Sequence, residues 1–163
     1  MTTLNRAGMF PVAIAAVAAT FVAVVGATMT DLGPWYRTLA KPGWAPPDAM
    51  YGIAWTLVFA TTALGSVTAW RAITDRAAGD WLIGLFAFNG FLNILWSLLF
   101  FRLQRPDWAA IEVVVLGVSV FVLTLFAWRH SRAAGMLLLP YLGWVVLAGA
   151  LNWEIVRLNG PFA

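Results

Sequence analysis

Along the chain, apolar runs of membrane-spanning length alternate with short clusters of charge. Ala7 to Thr30, Ala49 to Trp70, Trp81 to Phe101 and Ala133 to Trp153 carry no charged side chain, and Trp108 to Trp128 carries only Glu112. A helix needs about 20 mostly apolar residues to cross the hydrocarbon core of a bilayer. All five runs reach that length. The pattern predicts an all-α integral membrane protein, a bundle of five transmembrane helices at about 8–29, 49–70, 81–101, 107–128 and 133–157, within one domain over 1–163. Arg6 precedes the first run as in a signal peptide, but the run outlasts an apolar signal core of about 7–15 residues, so a retained helix is expected.

Composition agrees with lipid as the solvent. The chain is 62% hydrophobic and 10% charged, against about 25% charged for a soluble domain. Three connections are short, with Asp75 or Asp80 placed to cap the third helix and Pro106–Asp107 to open the fourth. The basic residues leave orientation open. Arg6, Arg71, Arg76, Arg129 and Arg132 fall on one side, and Arg37, Lys41, Arg102, Arg105 and Arg157 on the other, a tie for the positive-inside rule.

The first connection, about Asp31 to Ala49, is long. It contains Trp35, Tyr36 and Trp44, and Pro42, Pro46 and Pro47 forbid a continuous helix through it. Two readings stand. The stiff loop closes a cavity among the helices, with Arg37 and Lys41 as rim cations suited to a flat aromatic ligand bearing carboxylates. Alternatively, it lies on the membrane and binds nothing.

Within the spans, polar and small residues recur at helical spacing. Asn89, Asn93 and Ser97 form a stripe that serves interhelical hydrogen bonds or the polar edge of a pocket. Ala15, Ala19, Ala23 and Ala27 form a small-residue face, for packing within the bundle or for a homodimer seam. Glu112, a carboxylate within a span, is a functional candidate or a structural anchor near Arg102 or Arg105, and its place about one turn into the helix favours the anchor; Glu154 with Arg157 is expected as a local surface pair. With ten tryptophans, interfacial belts are outnumbered and some rings should face inward.

Other chemistry is excluded. The chain has no Cys and a single His, His130, so thiolate and bis-His metal sites within it are ruled out, and no metal or cofactor is expected. No phosphate-binding loop, zinc-protease motif or Ser-His-Asp arrangement occurs, and no basic run of the nucleic-acid-binding kind.

Three segments resemble the TspO/MBR family, the tryptophan-rich sensory proteins and translocator proteins. They are Trp35-Tyr36, Leu39, Lys41-Pro42, Trp44 and Pro46-Pro47 through Trp55; Leu92-Asn93, Trp96 and Phe100-Phe101 with Trp108; and Pro140-Tyr141-Leu142, Trp144, Ala148, Leu151-Asn152 and Leu158-Asn159. The resemblance implies a five-helix bundle, commonly a homodimer in a bacterial envelope membrane, with a ligand cavity under the first loop. It implies ligands such as protoporphyrin IX, haem-related tetrapyrroles, sterols and isoquinoline or benzodiazepine drugs. It further implies pocket positions at Trp44, Ala45, Asn93, Trp96, Trp108, Ala148 and Leu151, beside the loop residues Trp35, Tyr36 and Lys41. It links Trp55 and Trp144 to light-dependent porphyrin breakdown. Receptor, photoenzyme and transporter of porphyrin or lipid are the functions it leaves open. The sequence departs from the family at Asn89-Gly90-Phe91, where Gln-Leu is frequent, and at Trp153, where a sterol-type pattern has Tyr; tight sterol binding is therefore not expected.

Overall fold

The structure, a computed structural model, describes residues 9–162. Among these, five helices are long and apolar enough to cross a membrane. The order is α1 (Phe10–Met29), a short α2 (Pro34–Thr38) within the long loop, α3 (Asp48–Ala72), α4 (Arg76–Ser97), α5 (Pro106–His130) and α6 (Arg132–Asn159). Five wide π-helical residues, Leu98–Arg102, continue α4.

The helices outrun the apolar stretches that announced them, because charges that end the apolar stretch need not end the helix. α4 starts at Arg76, where the Asp75 side chain accepts the Ala78 N–H at 2.8 Å. Asp80, the other expected cap, lies inside the helix as the exposed partner of Arg76. The π-helical turn ends at Leu103, and Gln104 takes a left-handed φ of 53° before Pro106 opens α5. Ser131 alone joins α5 to α6, and its hydroxyl caps α6 at Ala134 N–H. Residue 8, the expected first residue of the first helix, lies outside the described residues.

α5 and α6 form the centre. Val113 packs against Gly149 and Val145 against Gly117, at 3.5 and 3.7 Å from where a Cβ would stand on each glycine. α1 stands at the edge, with no buried residue. It leans on α4 at Gly90, where an added Cβ would lie 3.1 Å from Val22. Its C-terminal carbonyls are partly satisfied by Arg102, whose guanidinium donates to the Thr28 oxygen at 2.5 Å.

The bundle divides along its length. At the end holding the last turns of α3 and the start of α6, Ala69, Ile73, Leu82, Leu123, Ala127, Ala134 and Leu138 make a closed core. Small residues let backbones meet there: a Cβ on Gly65 would lie 3.3 Å from the Ala134 carbonyl, and one on Gly135 would lie 2.8 Å from Trp128 Cβ. At the other end the helices splay around a cavity.

Candidate functional site

The cavity holds about 560 Å³, within the size range of small-molecule sites. Its walls come from the first turns of α3, the last turns of α4 with the π-helical segment, the second half of α6 and the end of α1. On one wall Trp55 stacks on Phe59 (ring centroids 5.4 Å apart) and meets Trp144 edge to face at 6.2 Å. Tyr51 meets the same Trp144 at 5.9 Å. On the facing wall Trp96 stacks on Phe100 at 5.2 Å and meets Phe101 edge to face. The π-helical turn holds these two neighbouring phenylalanines, and both line the cavity.

The long loop is tied down as a lid. Ala40 N–H donates to Asn159 Oδ1 at 2.8 Å, and Asn159 Nδ2 donates to the Ala40 and Ile155 carbonyls at 2.9 and 2.8 Å. Tyr36 is only 6% exposed and reaches the cavity. Its hydroxyl donates to Asp48 at 3.4 Å, and burial, reinforced by the Asp48 charge, pushes its pKa up to about 12. The phenol is therefore neutral at physiological pH. Lys41 sits 3.8 Å over the Tyr36 ring and 3.4 Å from Asp48. Trp35 braces the lid from outside the cavity, edge-on to Phe100.

Among the described residues, four polar atoms of cavity-lining side chains are buried without a hydrogen-bond partner: Tyr51 Oη, Trp96 Nε1, Trp144 Nε1 and Asn152 Oδ1. Asn152 Nδ2 is spent on the Pro106 carbonyl at 2.8 Å. The indole N–H groups can only donate. These four atoms are closed off from the cavity space as well as from water, so the cavity presents mainly ring and aliphatic surface and suits a flat apolar molecule.

Seven of the expected site residues meet here: Tyr36, Trp55, Asn93, Trp96, Trp144, Ala148 and Leu151. Others do not reach the wall. Trp44 is 50% exposed at the loop surface; Trp108 is 49% exposed, its ring 4.2 Å below the Arg105 guanidinium. Ala45 and Trp35 belong to the apolar cluster under the lid, and Lys41 turns to Asp48. Arg37 donates to the Leu32 carbonyl instead of facing a ligand. Sequence reasoning did not place Tyr51 and Phe59 on the wall, and Phe100, Phe101 and Asn152 entered it only as residues that carry the family resemblance. Ala15, Ala19 and Ala23 are half-buried, and Ala23 and Ala27 look onto the cavity.

Two further expectations changed. The polar stripe serves both purposes proposed for it: Asn89 bonds across helices, Ser97 lines the cavity, and Asn93 does both. Glu112 meets neither expected arginine. Arg102 goes to Thr28 and Arg105 to Asp107, two residues along, because Pro106 starts a new helix and turns both side chains away. Glu112 is buried, and neither carboxylate oxygen has a hydrogen-bond partner among the described residues. Glu154 and Arg157 do pair, at 2.6 Å.

Comparison with known proteins agrees with this architecture. The TspO/MBR family model matches residues 12–158. The tryptophan-rich protein TspO of Chlorobaculum tepidum is 39% identical over 145 residues, 85% of this chain and 89% of the relative. The tryptophan-rich sensory protein of Cereibacter sphaeroides is 34% identical over 86% of this chain and 89% of its own. The translocator protein of Bos taurus is 32% identical over 77% of this chain and 75% of its own. With five apolar helices and a match across nearly its whole length, the chain is an integral membrane protein and belongs to the TspO/MBR family.

Proposed function

We propose that the protein is a membrane receptor that binds flat tetrapyrroles, protoporphyrin IX and haem-related compounds among them, in the cavity under the lid. The role this serves is regulatory or stress-responsive, in a bacterial envelope membrane. The observation that carries the reading is a cavity of about 560 Å³ walled by the rings of Trp55, Phe59, Trp96, Phe100 and Trp144. A porphyrin offers ring faces to Trp55, Trp96 and Phe100. Other flat apolar ligands, isoquinoline or benzodiazepine drugs and more weakly sterols, fall within the same recognition. The test is a dark equilibrium titration of purified protein with protoporphyrin IX, following its absorbance. Saturable one-site binding, weakened about fivefold to tenfold in Trp55→Phe and Trp144→Phe through lost ring contact, is expected. Uptake no better than empty micelles contradicts the reading.

A second reading is favoured by the edge-to-face pair Trp55 and Trp144 at 6.2 Å. Under light and dioxygen, a bound porphyrin beside these rings undergoes oxidative breakdown. A defined product, formed by wild type and lost in both Phe variants, supports that activity, and equal bleaching beside an unrelated solubilised protein removes it. Transport of porphyrin or lipid draws less support, since the cavity is walled off at one end by the closed core. Homodimer formation belongs to the proposal as well; of the four-residue face Ala15, Ala19, Ala23 and Ala27, only Ala15 and Ala19 are left for a seam, since Ala23 and Ala27 look onto the cavity. Disulfide trapping of Ala19→Cys in membranes reads it, and a monomer at all oxidant levels argues against it.

A further inference from the structure

At the floor of the cavity four polar side chains from three helices form a single chain of hydrogen bonds. Asn93 Nδ2 donates to Tyr141 Oη at 3.1 Å. Tyr141 Oη donates to Asn89 Oδ1 at 3.0 Å. Asn89 Nδ2 donates to Ser119 Oγ at 2.8 Å, and Ser119 Oγ donates to the Leu116 carbonyl at 2.7 Å. All four side chains are buried.

The direction of this chain follows from its far end. A backbone carbonyl can only accept, so Ser119 spends its single hydrogen on Leu116 and must accept from Asn89. Asn89 therefore turns its amide nitrogen to Ser119 and its oxygen to Tyr141. Tyr141 then donates to Asn89 and accepts from Asn93. The reversed chain would take the Ser119 hydrogen away from Leu116. Asn93 is left with one of its two amide hydrogens held by Tyr141, which fixes the orientation of the amide, and its Oδ1 free of any hydrogen bond among the described residues, on a side chain 6% exposed that lines the cavity.

We propose that Asn93 is a specificity-determining residue that presents a fixed hydrogen-bond acceptor at the cavity floor. Tyr141, Asn89 and Ser119 are the positioning residues that fix it, and a ligand reaching the floor carries an N–H or O–H donor there. The proposal rests on the ligand-binding reading of the cavity and adds a polarity to it: an acceptor at the floor of an otherwise apolar space. A buried acceptor met by an apolar group goes unsatisfied, whereas a donor group satisfies it. Ligands that differ only in one N–H are therefore separated by this site.

The probes are a phenyl-substituted indole and its N-methyl derivative, flat apolar molecules that differ in that one donor. Binding to the solubilised full chain is followed by indole fluorescence at a wavelength that spares protein tryptophan, and by competition with protoporphyrin IX. The N–H probe is expected to bind about tenfold tighter than the N-methyl probe. In Ser119→Ala the chain loses its anchor and the Asn89 amide is free to reverse, so the ratio falls toward one. Tyr141→Phe releases Asn93 directly and has the same effect. Ser119→Thr keeps the hydroxyl and keeps the ratio. A purely structural role would weaken both probes together and leave the ratio unchanged, which overturns the proposal. Equal affinities in wild type, with porphyrin still competing, also overturn it while leaving the cavity reading intact. Failure of both probes and of protoporphyrin IX to bind overturns the cavity reading and the proposal with it.

Discussion

The two ends of the bundle are built from different kinds of residue to opposite effect. At the closed end, glycine and alanine remove side chains where helices cross, and the backbones come together: Gly65 against Ala134, Gly135 against Trp128. At the lid end, large rings stand where the helices splay. Tyr51, Trp55, Trp96, Trp144 and Phe100 pack against one another around a space without filling it. An aromatic ring is stiff, so a few of them hold a cavity open at little cost in side-chain entropy. The lesson is a division of labour, in which one end supplies stability and the other holds a shape. The polar chain from Asn93 to Ser119 marks the boundary between them.

This comparison breaks most visibly at the closed end. Gly135→Leu drives a side chain into Trp128 and should destabilise the protein by about 3 kcal/mol, at the upper end of overpacking costs. A fall in the detergent-solubilised melting temperature checks it. If Gly135→Leu melts like wild type, the closed end is not the scaffold. A smaller effect is expected at the lid. Asn159→Ala removes the reciprocal bonds to Ala40, each worth about 1 kcal/mol. The lid is then freer, and porphyrin dissociation measured by stopped flow should speed by about fivefold to tenfold, with little change in melting temperature. An unchanged dissociation rate would show that the loop does not gate the cavity.

Much of this organisation was legible in the sequence, for physical reasons that differ by element. Lipid demands length and apolarity, so five spans announced themselves, while their ends did not: α4 begins at Arg76 and α6 runs on to Asn159, since a helix continues happily into the headgroup region. The tryptophans split as expected, but composition did not tell which were which. Trp81, Trp108, Trp128 and Trp153 are exposed near helix ends, as belt residues are, while Trp55, Trp96 and Trp144 turn inward. Trp108 was placed in the pocket by likeness alone, and the rotation of α5 puts it outside, under Arg105. The π-helical turn that carries Phe100 and Phe101 has no signal in residue type. The Asn stripe was legible as a polar face, but its hydrogen-bond direction depends on Ser119 and Tyr141, which lie on other helices. Glu112 was legible as an exception and misread in its partners, because the turn at Pro106 decides where Arg105 points.

The central claim is that ligand binding belongs to the lid end and stability to the closed end. Ala148→Leu tests it most directly, since Ala148 lines the cavity and takes no part in the closed core. The measurement is the melting temperature of wild type and Ala148→Leu with and without protoporphyrin IX. The account predicts that the two proteins melt within a few degrees of each other when free, and that porphyrin raises the melting temperature of wild type alone. An equal rise in both would place the ligand outside the cavity and contradict the account.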